Sequence, residues 1–198
     1  PMAVYVPRHR RYSVVASKPT DLAIFTAEVD QDHLPRGIGR HEVVERSEGF
    51  EEARRQVYTI VGEGFPASHL LVGETHVAPG HWASYPPHKH DTDNYPLEVG
   101  LEEAAFYQVD PPQGFGLQYL YTPADRQAAV RVVRNDEALA IVRGYHPLAA
   151  APGYRLCYLW GLAGEGHVLR SSLDPEHAWV AAAEPAVQPE AVAVGSVG

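Results

Sequence analysis

The chain of 198 residues is 45% hydrophobic, 10% aromatic and 21% charged, which is material for one good domain or two small ones. A net charge of -9 offers no basic patch to neutralise phosphates and excludes non-specific nucleic-acid binding. The single cysteine, Cys157, excludes an intramolecular disulfide and a cysteine-rich zinc site, and no apolar run approaches the ~20 residues of a membrane span.

The first twelve residues carry Arg8, Arg10 and Arg11 without the apolar core of a secretion signal, so the expected location is cytoplasmic. Residues 21–27 read as a strand. Residues 28–52 are polar, with a turn at Pro35-Arg36-Gly37, and fit either a loop or a weak hairpin. Strands are then expected at 55–61, 70–77, 104–109 and 116–121, each stopped by glycine or proline. Residues 129–134 and 138–143 read as a hairpin around Asn135-Asp136. The apolar run 154–162 reads as the last strand, with Cys157 as a small buried hydrophobe. Many short strands with close turns predict an all-β sandwich or closed barrel. Asp174 as N-cap, Pro175 and Glu176 then start one helix reaching about Ala183, and Pro185 and Pro189 forbid its continuation.

Chemistry concentrates in Ser84-Tyr85-Pro86-Pro87-His88-Lys89-His90-Asp91. Pro86 and Pro87 hold the approach extended, and His88 and His90 then share one face of a strand, because side chains alternate with period 2. A carboxylate from Glu102 or Glu103 and the later His146 complete a set of imidazoles and acid that suits Zn, Mn, Fe or Ni. The plainer reading is a set of exposed polar residues on a turn. Parity does not separate Glu102 from Glu103, because a loop intervenes after His90.

The octapeptide, Leu101-Glu102-Glu103, Asp110-Pro111-Pro112-Gln113-Gly114-Phe115-Gly116, Gly144-Tyr145-His146-Pro147 and Ala151-Pro152-Gly153-Tyr154 resemble the 5-deoxy-glucuronate isomerase family of myo-inositol catabolism. Asp174-Pro175 with Ala178-Trp179 resembles that family's C-terminal signature. The resemblance implies a bicupin-like, cupin-type β-barrel with a shortened N-terminal half. It divides the chain into a partial cupin-like half at 1–53, a metal-binding barrel at 54–183 and a flexible tail at 184–198. It further implies a divalent metal, zinc first, held by His88, His90, Glu103 and His146. The family departs from this chain at Ala83, where a serine is usual, and at Ala105, where an aromatic is usual.

The implied reaction is an aldose–ketose isomerisation of 5-deoxy-D-glucuronate to 2-deoxy-5-keto-D-gluconate. Lys89 and Tyr85 are candidates for the proton-transfer role. Gln118, Arg143 and Tyr154 are candidates for holding the sugar acid, whose carboxylate calls for a cation. Two other readings of the same ligand set are an Fe(II) dioxygenase and a metal- and sugar-acid-binding cupin without turnover. The expected partners are a small sugar acid and further copies of the chain, with Trp82, Trp160 and Trp179 available for a subunit contact, and neither nucleic acid nor membrane.

Overall fold

The computed structural model describes residues 2–124 and 129–182. A ribbon of β1 (Ala3–Tyr5) and β2 (Arg36–Ile38) comes first, followed by β3 (Val44–Glu48), β4 (Arg55–Val61) and β5 (Leu70–Val77). Short β6 (Trp82–Ala83) and β7 (His88–Lys89) lead into β8 (Glu102–Asp110), β9 (Phe115–Leu120), β10 (Ala129–Arg134) and β11 (Glu137–Ile141). The described residues end with β12 (Leu148–Ala150), β13 (Arg155–Ala163), β14 (Ser172–Leu173) and α1 (Ala178–Ala182). None of the described helices is long and apolar enough to cross a membrane.

Two antiparallel sheets face each other. One has the order β11-β8-β13-β5-β4-β3 and the other β10-β9-β12-β6. Their inner faces carry Leu71, Val77, Tyr107, Leu148, Leu156, Tyr158 and Trp160, which pack as one core. Strand alternation explains the choice: in β8 the residues at 103, 105, 107 and 109 are buried, and 102 and 104 are exposed. The Trp160 ring fits only because Gly73 opposes it; a Cβ there would lie 2.0 Å from Cζ2. Ala83 and Ala105, the two departures from the family, are both core residues. Of the tryptophans, Trp160 is core, and Trp82 and Trp179 are exposed.

The all-β expectation holds, with one short C-terminal helix, but the two sheets pack face to face and no ladder among the described residues closes them into a barrel. The reason lies in the expected hairpin, which does not form. β10 pairs with β9 and β11 with β8, so the Asn135-Asp136 turn carries the chain from one sheet to the other. Its polar groups are spent on that crossing. Asn135 Oδ1 accepts from Val109 N at 2.9 Å, and Asp136 N donates to Tyr107 O at 2.9 Å.

Residues 21–27 form no strand. Leu22 and Ile24 are exposed, and the Phe25 ring lies over Gly161 on the outer face of β13, so this segment crosses a sheet face instead of joining an edge. Segment 28–52 resolves into β2, which pairs with β1, and β3, which pairs with β4. The division expected after residue 53 therefore falls between two hydrogen-bonded strands of one sheet. Strand β13 is followed by β14, which pairs with β7. Residues 174–177 form turns, with Asp174 Oδ1 accepting from Glu176 N, and α1 starts only at Ala178. The expected tail at 184–198 lies outside the described residues.

Candidate metal centre

His88 lies in β7 and His90 just beyond it, and the β7–β14 ribbon anchors them. Leu101 N donates to His90 O at 2.7 Å, which brings the start of β8, and with it Glu103, beside the imidazoles. His146 arrives on the loop between β11 and β12. That loop turns at Gly144, whose φ of +84° and whose closeness to Tyr121 O (2.4 Å from a built Cβ) demand glycine.

The four expected ligands meet. One ligand atom from each of His88, His90 and His146 lies within 4.8 Å of the others. Glu103 Oε2 stands 3.2 Å from His90 Nε2 and 3.4 Å from His146 Nε2. His90, His146 and Glu103 are buried, and His88 is partly buried. Glu102 is exposed, so the pleat of β8 selects Glu103.

Backbone carbonyls set the imidazoles. His90 Nδ1 meets Leu101 O at 2.9 Å, and His146 Nδ1 meets Gly144 O at 2.9 Å. A carbonyl only accepts, so each Nδ1 carries the proton and each Nε2 turns its lone pair inward. His146 Nε2 is sealed from solvent without a hydrogen-bond partner among the described residues. Lone pairs converging on a carboxylate in a buried space call for a cation. The residues present fit a divalent metal.

The electrostatics agree. Burial, then the neighbouring imidazoles of His146 and His90, push His88 down to about 3, and burial likewise lowers His146. Burial works against the charged forms of His90 and Glu103, but their mutual contact outweighs it and leaves His90 raised and Glu103 lowered.

Lys89 does not enter the cluster. Its ammonium is held by Asp91 Oδ1 at 2.6 Å and Glu98 Oε1 at 2.7 Å. Burial lowers its pKa, these carboxylates raise it more, and it stays charged, unsuited to accepting a proton. Tyr85 stands beside Trp82, 5.5 Å between ring centroids, and lines a depression of about 340 Å³ with Phe50, Pro86 and Val180. Arg143 is exposed. Tyr154 lies just before Arg155, which pairs with Asp110, seven residues along β8 from Glu103 or roughly 23 Å at ~3.3 Å per residue. Gln118 does reach the site, as a clamp. Its Nε2 donates to His146 O and to Pro147 O (3.1 Å), and its Oε1 accepts from Tyr107 OH at 2.8 Å.

Asp91 and Arg55 have roles that sequence reading missed. Asp91 Oδ2 accepts from Gly144 N at 2.7 Å, tying the two histidine segments together. The Arg55 guanidinium donates to Tyr85 O at 3.3 Å, and its charge helps to depress His88. The placement of Asp91 at the end of the octapeptide was the available signal. Arg55 offered none.

Fold and cluster together define a cupin-type protein with a site suited to a divalent cation. The KduI/IolB family model matches residues 1–180, and the chain belongs to that family. Among curated relatives, the 5-deoxy-glucuronate isomerase of Geobacillus thermodenitrificans is 38% identical over 180 residues, covering 91% of this chain and 66% of that one. The protein of the same name from Geobacillus kaustophilus is also 38% identical, with 91% and 65% covered. The crystal structure of an IolB-like protein from Salmonella typhimurium LT2 superposes with a TM-score of 0.72 at 35% identity, over 74% of this chain and 56% of that one. This chain thus spans about two thirds of the length of those curated relatives.

Proposed function

We propose that the chain is a metal-dependent aldose–ketose isomerase that converts 5-deoxy-D-glucuronate to 2-deoxy-5-keto-D-gluconate, with zinc held by His88, His90, Glu103 and His146. The observation that carries the reading is the convergence of three imidazoles within 4.8 Å beside a buried carboxylate. The names of the curated relatives supply the substrate.

When bound, the cation supplies Lewis acidity, polarising the substrate carbonyl and the hydroxyl next to it. The protein's own residues keep the site in shape. Leu101 O and Gly144 O hold the two Nδ1 protons and so fix which nitrogen faces inward. Gln118 fixes the backbone on either side of the His146–Pro147 peptide. The neutral state of His88, maintained by burial, keeps its lone pair available. Arg55, whose guanidinium is also paired with Glu48 Oε2 at 3.0 Å, is the cation whose field reaches His88, and it is the group we assign to attract the substrate carboxylate.

The test is proton NMR of 5-deoxy-D-glucuronate under strict anaerobiosis with zinc-loaded chain. Loss of the substrate signals with growth of the keto product supports the proposal, as does loss of both zinc and turnover in His88→Ala. An unchanged spectrum with fully loaded protein overturns it.

A further inference from the structure

Among the described residues, the outer face of the six-stranded sheet is covered at one end only. Phe25 and Tyr5 pack there with Ile38, Ile60 and Val72. At the other end a groove of about 720 Å³ opens, lined by Gln56, His76, Gln108 and Cys157 among others. These four form one row across the sheet, because register places Gln56 opposite His76, His76 opposite Cys157 and Cys157 opposite Gln108.

Cys157 is thus not the buried core hydrophobe expected from its apolar run; it faces outward. Directly opposed residues in a ladder hold their Cβ atoms about 4.5–5.5 Å apart. Glu74, two residues before His76, shares the same face. The three side chains converge on one atom: Cys157 Sγ donates to Glu74 Oε1 at 3.4 Å, and His76 Nε2 meets the same oxygen. One ligand atom from each lies within 4.8 Å of the others. The Tyr58 ring, 5.0 Å from that of His76, buttresses the imidazole, and Tyr58 OH is itself anchored on Glu45 at 3.2 Å.

We propose that Glu74, His76 and Cys157 form a second divalent-cation site of the zinc class, bridging β5 and β13, with one coordination position open to the groove. Carboxylate, imidazole and thiolate are a ligand trio that zinc accepts, and three protein ligands with a free fourth position define an accessible site. Without a cation, protons on Cys157 and His76 occupy the space around Glu74 Oε1. The cation replaces them: the proton on His76 Nε2 is exchanged through solvent for one on Nδ1, so that Nε2 presents its lone pair, and the thiol proton leaves to solvent. Burial and then Glu74 raise the thiol pKa, so this proton stays in place until a cation displaces it.

Cobalt(II) reads the site directly. Cys157 is the sole cysteine of the chain, so a thiolate-to-cobalt charge-transfer band in the near ultraviolet has one source. Titration of the reduced 198-residue chain is expected to give two equivalents of bound cobalt and a band that saturates with one of them. Cys157→Ala is expected to bind one equivalent with no band, and His88→Ala to keep the band. That last arm separates this site from the isomerase reading. One equivalent and no band in the unsubstituted chain overturns the proposal, as does a band that survives in the Glu74→Gln/His76→Ala double variant with unchanged far-ultraviolet circular dichroism.

Discussion

The inner cluster and the outer triad are both assembled from groups that bind metals, but they are held in different ways. The inner imidazoles come from a two-residue strand and a loop, and each of His90 and His146 is locked by a backbone carbonyl at 2.9 Å. The outer groups stand on the long strands β5 and β13, and the pleat alone aims them, with one tyrosine ring as support. Burial differs too: His146 is 1% exposed, whereas the His76 side chain is 49% exposed. A site on irregular backbone needs a surrounding scaffold of hydrogen bonds to become rigid. A site on paired strands inherits its geometry from register but gives up seclusion from water.

The most severe break in this contrast comes from removing an inner ligand. His146→Ala is expected to abolish stoichiometric zinc, measured by elemental analysis, and to bring isomerisation to background by NMR. Truncating the supports comes next. Gln118→Leu strands the Tyr107 hydroxyl and the buried His146 carbonyl, while Pro147 O keeps its bond from Tyr119 N at 2.9 Å, and is expected to cost about 2–3 kcal/mol in urea unfolding. Asp91→Asn, which weakens the acceptor for Gly144 N and Lys89, is expected to weaken zinc affinity about 10–100-fold in a competition titration, with the folded state retained.

Acidity gives a subtler discrimination. Folded, metal-free His88 protonates only near 3, whereas an unfolded histidine does so near 6.5. Between those values the unfolded chain holds the extra proton, so this residue makes stability fall as pH drops from 6.5 towards 3. His88→Gln is expected to flatten that slope in metal-free urea titrations across the same window. The smallest effect belongs to the exposed Arg155–Asp110 pair at the rim of the groove. Arg155→Ala is expected to shift stability by less than about 1 kcal/mol in the same assay and to leave inner zinc untouched.

Much of the inner site was legible because the sequence packs it into short, dense motifs. His88 and His90 sit two apart, and His146 follows a Gly-Tyr pair. The choice of Glu103 needed either the family resemblance or the phase of β8, which its alternating burial reveals. Asn135-Asp136 misled because a turn between two β segments looks the same whether it closes a hairpin or passes from sheet to sheet. Residues 21–27 misled because an apolar run says nothing about whether an edge is free to pair with it. The outer triad was invisible for a different reason. Glu74 and Cys157 are 83 residues apart, and only the register of β5 against β13 joins them.

The bond from Asp91 to Gly144 spans 53 positions of the chain and couples the two segments that carry the imidazoles. Its consequence concerns exchange. Because that cross-brace uses no inner ligand atom, stripping a bound ion with a chelator is expected to leave the receptor standing, so that reloading is simple capture with no refolding step.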